Sequence, residues 1–340
     1  MKIIMICKNN FLLNNSGINT FITHMETMCN KLNIKYEIIT ENYVEKINHE
    51  NILYVNSFNN CVELLYERYK DENNVYITDG LDTLQLVDKL SIVLSQGTFI
   101  YYTHIGDIIH DDPDNYDFSI EEKEITLNIL ENNNNIIIGT QSEELKSHLL
   151  NIFSKEKVIC LPEPLYIIKP EIDNLKIYDV CSIMNNTKRK KIKKVVDLCE
   201  KLNISLNLIT SGFLGYLDIK KLLNTTQCKM NLLEKVPNKN IPSCVALSKL
   251  LIHFSDVEVF PYSILETASI VPVIINNNSL WGQLFPDNLV YKVDYNNEEE
   301  CKKLINNLLI NPIPKMDLLD YQNKCENIWK QFITGGENEL

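Results

Sequence analysis

The most informative stretch of the sequence is Asp256-Val-Glu-Val-Phe-Pro-Tyr-Ser-Ile-Leu-Glu-Thr-Ala-Ser-Ile-Val-Pro-Val-Ile-Ile275. Its three parts require different backbone structures. Residues 257–260 form a short, mostly apolar run, which indicates a buried strand or the end of one. Residues 263–269 predict a short helix that is capped by Ser263, with Glu266 at the capping-box position. Residues 271–275 are mostly β-branched and are typical of a buried parallel strand. The predicted order is strand, helix, strand.

Two carboxylates flank the predicted helix start, Glu258 and Glu266, with seven residues between them. A helix N-terminus presents backbone N–H groups and the positive end of the helix dipole, which favour a bound diphosphate. A carboxylate on each side can accept hydrogen bonds from sugar hydroxyls, one on a transferred sugar and one on a nucleotide ribose. The alternative is an ordinary strand–helix–strand crossover with two solvated glutamates.

Length and composition are those of a globular α/β protein. A chain of 340 residues is long enough for two domains with separate cores. No apolar run reaches the length of a membrane span, and the N-terminus lacks a signal-peptide pattern, so the sequence predicts no membrane insertion. The ten cysteines are scattered without metal-binding spacing. This pattern predicts a reducing compartment, the cytoplasm, and no zinc site.

The chain is acidic, with a formal net charge of −12. Such a charge opposes broad nonspecific binding of nucleic acid, although a local basic face remains compatible with it.

The first half of the chain alternates strands and helices. A first strand, Lys2–Cys7, precedes a helix that begins near Gly17. A glycine there lets the backbone approach a ligand closely, although a lone glycine is also a common loop residue. A later strand, Thr98–His104, ends in a histidine. Residues at the carboxyl ends of parallel strands line the ligand site of such sheets, so His104 is a candidate catalytic residue and Asp107 or His110 could follow it. The alternative is that His104 only caps the strand.

Prolines between residues 162 and 170 predict a connection between domains. We therefore expect an N-terminal Rossmann-like domain over residues 1–165, a C-terminal one over 175–316 and a final helix within 317–340 that packs back toward the first domain.

A basic run follows the first strand of the second half, Tyr178–Met184. Lys188, Arg189 and Lys190 lie at the predicted strand-to-helix turn, where a cation can neutralise a departing diphosphate. Charge runs are usually solvated helix faces, and Lys193 and Lys194 are predicted to be one.

Further predictions concern the nucleotide and the sugar. Ser211 and Gly212 follow a strand at 205–210 and are expected to contact the nucleotide through their backbone. Residues 245–254 are predicted to form a helix that leads into the Glu258 element. Trp281 lies in a loop after the next strand, where its ring could stack on a sugar or a base.

The sequence resembles retaining glycosyltransferases of the GT-B class, and more specifically the T-even phage DNA α-glucosyltransferases. The matching segments occur in the same order along the chain: Ser16-Gly-Ile-Asn-Thr-Phe21, Tyr101-Tyr-Thr-His104, Ala246-Leu-Ser-Lys-Leu250, Tyr262-Ser-Ile-Leu-Glu266 and Tyr321-Gln-Asn-Lys-Cys-Glu-Asn-Ile-Trp329. This resemblance implies two Rossmann-like domains that face each other across a cleft. It also implies a UDP-sugar donor, with glucose as the expected sugar. The C-terminal domain would hold most of this donor, and the N-terminal domain would lie on the acceptor side.

The resemblance implies roles for individual residues on the donor side. By position, Glu266 would bind the ribose or donor, Glu258 would contact the transferred sugar, and Lys190 would contact the diphosphate. The segment around Glu266 would complete the donor site. The candidate donor-binding residues of the whole site are Gly17, Lys188, Arg189, Lys190, Ser211, Gly212, Tyr262, Ser263, Ile264 and Glu266.

Two positions depart from the phage pattern. Asn185 stands where the family has an arginine, which leaves Arg189 or Lys188 to supply that charge. Ile105 replaces the acidic residue that follows the histidine, and Asp107 is the candidate substitute. Asp112-Pro-Asp114 is similar to the Asp-x-Asp of metal-dependent glycosyltransferases, but it lies in an acidic polar loop. We therefore predict no metal and no cofactor besides the donor.

Three functions remain open at this point. The first is a viral glucosyltransferase that acts on hydroxymethylated pyrimidines of double-stranded DNA in the host cytoplasm. The second is a glycosyltransferase that acts on a cell-surface glycan, a lipid carrier or a protein. The third is a nucleotide-sugar-binding module without catalysis.

Overall fold

The computed structural model describes residues 1–7, 17–41, 50–103, 120–167, 170, 175–185, 188–210, 218–256, 258 and 261–335, without the side chains of 17–19. The chain divides into two compact units. One comprises Met1–Tyr166 with Gln322–Leu340, and the other comprises Ile167–Tyr321.

The first unit is a parallel sheet with helices between its strands. Its strands are β1 (Ile3–Cys7), β2 (Tyr36–Glu41), β3 (Ile52–Val55), β4 (Val75–Thr78), β5 (Thr98–Tyr102), β6 (Ile136–Thr140) and β7 (Val158–Cys160). Its helices within the described residues are α1 (Gly17–Leu32), α2 (Val62–Tyr69), α3 (Leu81–Val93), α4 (Ile120–Asn132) and α5 (Glu143–Leu149). Every residue of β1 is buried, which explains its continuous apolar run.

The second unit repeats this design. Its strands are β8 (Tyr178–Ile183), β9 (Leu206–Thr210), β10 (Met230–Glu234), β11 (Ser248–His253), β12 (Val273–Asn276) and β13 (Tyr291–Val293). Its helices are α6 (Ile192–Leu202), α7 (Ile219–Thr225), α8 (Ile241–Ala246), α9 (Tyr262–Ala268), α10 (Leu280–Leu284) and α11 (Glu298–Ile310). The terminal helix α12 (Leu318–Thr334) begins in this unit and ends in the first one.

Both sheets follow the strand order of a Rossmann fold. The first sheet has the order β3-β2-β1-β4-β5-β6-β7, and the second has the order β10-β9-β8-β11-β12-β13. All pairs in both sheets are parallel. In each sheet the order reverses next to the first strand, between β1 and β4 and between β8 and β11. Ligands of such sheets bind outside the carboxyl ends of the strands at this switch point.

The terminal helix is held to residues 162–166 by hydrogen bonds within the first unit. Trp329, which is fully buried, donates its indole N–H to the carbonyl of Pro162 at 2.9 Å. Gln322 donates to the carbonyl of Leu165 at 2.6 Å. Glu326 accepts from the hydroxyl of Tyr166 at 2.7 Å and from Lys31 at 2.6 Å. From Gln322 onward, the helix is therefore part of the structure of the first unit.

No helix among the described residues is long and apolar enough to cross a membrane.

One element prediction in the second unit is wrong. Residues 245–254 were expected to form a single helix, but α8 ends at Ala246 and β11 runs from Ser248 to His253. Four successive buried residues, Leu250–His253, lie in β11 between β8 and β12. A short apolar run fits the helical and strand periods almost equally well, and here burial on both faces of the sheet favours the strand. Helices α7 and α10 and strands β10 and β13 were not predicted from the sequence, and Trp281 lies in α10 and not in the expected loop.

Candidate functional site

The carboxyl ends of β8 and β11 meet at the switch point of the second sheet. The segment after β8 carries the basic run, and the segment after β11 leads to Glu258. Backbone hydrogen bonds join the two segments: Lys191 N donates to Phe254 O at 3.0 Å, and Asp256 N donates to Arg189 O at 3.1 Å. Lys190 and Ser255 form an antiparallel bridge between them. This pairing places Lys190 beside Glu258, although 68 positions separate them in the chain.

Three ionisable side chains meet in this place. The Nζ of Lys190 donates to Oε1 of Glu258 and lies 3.5 Å from Nε2 of His253. Nε2 of His253 lies 2.6 Å from the same oxygen, Oε1 of Glu258. On the other side of the ring, Nδ1 lies 3.1 Å from the carbonyl oxygen of Ile183, the last residue of β8. We call Lys190, His253 and Glu258 the charged cluster.

The charged cluster is buried, with 7% of Lys190, 1% of His253 and 6% of Glu258 exposed. Burial, followed by the charge of Arg189, holds the pKa of Lys190 well below its usual value. Burial, followed by the charge of Lys190, also lowers the pKa of His253, while the hydrogen bond to Ile183 raises it. Ionisable groups with such perturbed pKa values at a sheet's switch point are typical of ligand and catalytic sites.

The neighbours of Lys190 in the basic run have different environments. Lys188 is exposed and Arg189 is half-buried. Lys191 forms an ion pair with Asp256, whose other carboxylate oxygen accepts from the hydroxyl of Tyr295 at 2.6 Å. Of the three predicted diphosphate ligands, the structure therefore brings only Lys190 into contact with Glu258.

Helix α9 carries the other predicted carboxylate. Glu266 is buried, with 8% of its surface exposed. Tyr262 and Ile264 are also buried, while Ser263 is half-buried. The predicted cap is wrong, because the helix begins at Tyr262 and has Pro261 at its N-cap without a side-chain hydrogen bond. Ser263 instead lies inside the first turn, where its carbonyl accepts from the hydroxyl of Thr267 at 2.6 Å. The roles of Glu266 and of the first turn in donor binding stay predictions.

Trp281 is not available for stacking on a sugar or a base, which corrects the sequence prediction. Its side chain is 2% exposed, and its indole N–H donates to the carbonyl of Ser255 at 2.9 Å. Its ring and that of His253 pack in a T-shaped arrangement, with the ring centroids 6.2 Å apart. The tryptophan therefore supports the segment after β11 from inside the core.

The glycine beside this tryptophan is required by close packing. A Cβ at Gly282 would overlap the carbonyl oxygen of Asn276 in the backbone. We therefore expect Gly282→Ala to lower the free energy of unfolding by about 1–3 kcal/mol, the usual effect of overpacking. Urea unfolding would measure this, with Gln283→Ala at an exposed position of the same helix as the matched control. Equal midpoints for the two variants would contradict the close approach.

Several predicted residues lie outside the described residues. They are His104, Asp107, His110, Ile105, Ser211, Gly212 and the Asp112–Asp114 pattern, and the predicted strand at 257–260 is described only at Glu258. Gly17 is described only through its backbone, as the first residue of α1. Their roles stay predictions.

In the first unit, the described part of the switch point holds a small apolar pocket lined by Met5, Ile6, Phe21, Ile22, Ile77, Thr78 and Asp79.

His253 is the site residue that the sequence analysis missed. The cause is the wrong prediction of a helix over residues 245–254. A histidine inside a helix does not lie at the carboxyl end of a strand, where ligands of such sheets bind. Had the run been read as a strand, His253 would have stood at a carboxyl end, five residues before Glu258. That position is the signal that would have found it.

Comparison with known proteins identifies solved structures of similar fold. No protein-family model and no curated protein sequence matches this chain. Sucrose-phosphate synthase from Thermosynechococcus elongatus is similar in structure, with a TM-score of 0.71 at 12% identity over 98% of this chain and 100% of that chain. Anabaena HepE, solved with UDP-glucose, gives 0.68 at 12% identity over 97% and 100%. The pneumococcal O-GlcNAc transferase GtfA, solved with UDP and GlcNAc, gives 0.68 at 8% identity over 98% and 99%.

These likenesses show the fold. The chain consists of two parallel-sheet, Rossmann-like units of the kind found in GT-B glycosyltransferase structures, so the predicted fold class is confirmed.

Proposed function

We propose that this protein is a retaining glycosyltransferase that moves a sugar, glucose as the expected one, from a UDP-sugar to a hydroxyl acceptor. The observation that carries the proposal is the charged cluster at the switch point of the second sheet. Structures of similar fold have been solved with UDP and with UDP-glucose, which supports a UDP-sugar as the donor.

The chemistry of donor cleavage matches the charges of this cluster. When the bond between the sugar and the diphosphate breaks, negative charge develops on the leaving diphosphate. Lys190 can stabilise that charge, and a buried site strengthens the interaction because it excludes water. Glu258 can accept a hydrogen bond from the transferred sugar, and Glu266 from the ribose. In this proposal the protein orients the donor and stabilises charge, and neither a metal nor a covalent intermediate is needed.

The first experiment measures thermal stability with a panel of nucleotides and nucleotide sugars. A ligand that binds only the folded state at 100 times its Kd stabilises that state by about 2.7 kcal/mol, so the melting temperature rises. We expect a rise with UDP and a larger one with a single UDP-sugar, which names the sugar. A panel without any shift would contradict the proposal.

For the acceptor, we propose hydroxymethylated pyrimidines in double-stranded DNA, on the strength of the phage resemblance. The net charge of −12 restricts DNA contact to a local basic face, so we expect binding to weaken steeply with salt. Hydroxymethylated and unmodified duplexes of one sequence form the matched pair of acceptors, and only the first should release UDP. An α-linked product from an α-linked donor would establish retention. The reducing environment that the cysteine pattern predicts fits a cytoplasmic enzyme.

The same assays distinguish two other functions. Turnover with a glycan or protein but not with DNA would assign the enzyme to another acceptor class. Donor binding without turnover on any acceptor would indicate a nucleotide-sugar-binding module, an outcome that the departures at Asn185 and Ile105 make worth testing.

A further inference from the structure

His253 occupies a special place within the charged cluster. It is the last residue of β11, and its imidazole connects the end of the neighbouring strand β8 to the carboxyl group of Glu258. Both ring nitrogens are used, with Nδ1 on the carbonyl of Ile183 at 3.1 Å and Nε2 on Oε1 of Glu258 at 2.6 Å. The ring is therefore held from both sides.

These two contacts determine where the hydrogens lie. A carbonyl oxygen can only accept, so Nδ1 of His253 must carry a hydrogen. A nitrogen and a carboxyl oxygen at 2.6 Å also require a hydrogen between them. It resides either on Nε2, as an imidazolium beside a carboxylate, or on Oε1, as a carboxylic acid beside a neutral imidazole. In both cases His253 and Glu258 share one hydrogen.

The charged groups around the ring act on this shared hydrogen. Lys190 lies 3.5 Å from Nε2 and also contacts Oε1, while Arg189 and the ion pair of Lys191 with Asp256 lie on the paired segments beside it. Burial and the charge of Lys190 both lower the pKa of His253.

The two oxygens of Glu258 have different surroundings. Lys190 and His253 both contact Oε1. Among the residues that the structure describes, Oε2 has no hydrogen-bond donor beside it. A carboxyl group that is anchored at one oxygen keeps the other for a ligand hydroxyl, without the entropy loss of ordering a mobile side chain.

We propose that His253 is a positioning residue for Glu258: the hydrogen between Nε2 and Oε1 anchors the carboxyl group, so that Oε2 accepts a hydroxyl of the transferred sugar. The inference rests on the proposed function and adds a residue to its sugar site. It has a consequence for pH. When the pair loses its shared hydrogen as the pH rises, the lone pair of Nε2 faces the carboxylate and repels it. The affinity for UDP-glucose relative to UDP must then fall on the alkaline side.

The test compares His253→Gln with the wild-type protein in binding and transfer assays over a range of pH. A glutamine amide can donate to Glu258 but does not titrate, and it does not reproduce the two-sided anchoring of the ring. We expect kcat/KM for UDP-glucose to fall about tenfold, the lower end of what a hydrogen bond to a charged group supplies. The affinity for UDP should persist. The affinity for UDP-glucose relative to that for UDP should no longer decrease as the pH rises. His148→Gln in α5 is the matched control, expected to behave as wild type.

A double-mutant cycle with Glu258→Gln separates positioning from a folding defect. If His253 acts through Glu258, the substitution at His253 has little further effect once Glu258 is changed, whereas effects on folding alone would add. Additive losses, or a His253→Gln protein with the kinetics and pH profile of the control, would overturn the positioning role.

Other outcomes are also decisive. If the wild type binds no UDP-sugar, the proposed function fails, and this inference fails with it. If wild type binds and only the His253 effects are absent, the positioning role alone is wrong. Should His253→Gln not fold by circular dichroism, the pH dependence of the wild-type UDP-glucose to UDP affinity ratio decides. A ratio that is independent of pH overturns the inference.

Discussion

Lys190→Met is expected to lower kcat/KM for the UDP-sugar by about 10²- to 10³-fold, the usual loss when one preorganised group is removed from developing negative charge. Among the described residues of the basic run, Lys190 is the one that donates to Glu258, and it is 7% exposed. Its charge therefore acts in a buried site, where electrostatic interactions are stronger than in water. UDP affinity should fall as well, because the diphosphate is present in both the ground state and the transition state. Steady-state kinetics and calorimetric UDP titration measure the two effects.

The matched control for this prediction is Lys193→Met, one turn further along the same run. Lys193 is exposed on α6 and was predicted from sequence to be a solvated position. The two variants remove the same charge from the chain, so a general change in net charge affects both equally. Equal kcat/KM values for Lys190→Met and the control would remove Lys190 from the donor site.

The fold was largely predictable because buried parallel strands leave a strong sequence pattern. The run Ile3–Cys7 is apolar throughout, and the structure buries every residue of it. The strands missed in the second unit are weaker. All five residues of β10 (Met230–Glu234) are only half-buried, since the strand lies at the edge of its sheet. Edge strands receive less apolar patterning, because one side faces no neighbouring strand.

The candidate site was predictable only in part, because its geometry depends on contacts distant in sequence. Glu258 and Lys190 were found through local patterns and the family resemblance. Their contact, however, depends on backbone pairing between the segments that follow β8 and β11, and no local pattern encodes this. Trp281 shows the same limit: an aromatic residue after a strand suggested a stacking surface, whereas the indole is buried against Ser255.

Glu258→Gln is expected to affect both stability and transfer. The substitution keeps the shape of the side chain but removes the one anionic partner that buried Lys190 has among the described residues. Removing one partner of a buried ion pair typically costs about 3–5 kcal/mol of unfolding free energy. Transfer should fall about 100-fold, because the sugar hydroxyl loses a charged acceptor. UDP binding should persist, since Glu258 is assigned to the sugar and not to the nucleotide.

The sign of the pH dependence identifies Lys190 as the source of this instability. Burial holds the pKa of Lys190 below its value of 10.5 in the unfolded chain. Between these two pKa values the unfolded state binds more protons, so the unfolding free energy of Glu258→Gln must rise as the pH rises. Urea unfolding at a series of pH values below 10.5 measures the slope, which should be steeper than in wild type. A flat profile would mean that Lys190 finds another anionic partner in this variant.

The double substitution Lys190→Met with Glu258→Gln separates stability from catalysis. Replacing both partners of a buried ion pair by neutral groups is often neutral or stabilising, because no charge remains without a partner. We therefore expect the double variant to regain most of the unfolding free energy lost in Glu258→Gln, and to lose its steep pH dependence. Transfer should not recover, because neither the diphosphate nor the sugar regains its charged contact. Recovery of transfer together with stability would mean that the pair serves only the structure, and that the charged cluster is not the donor site.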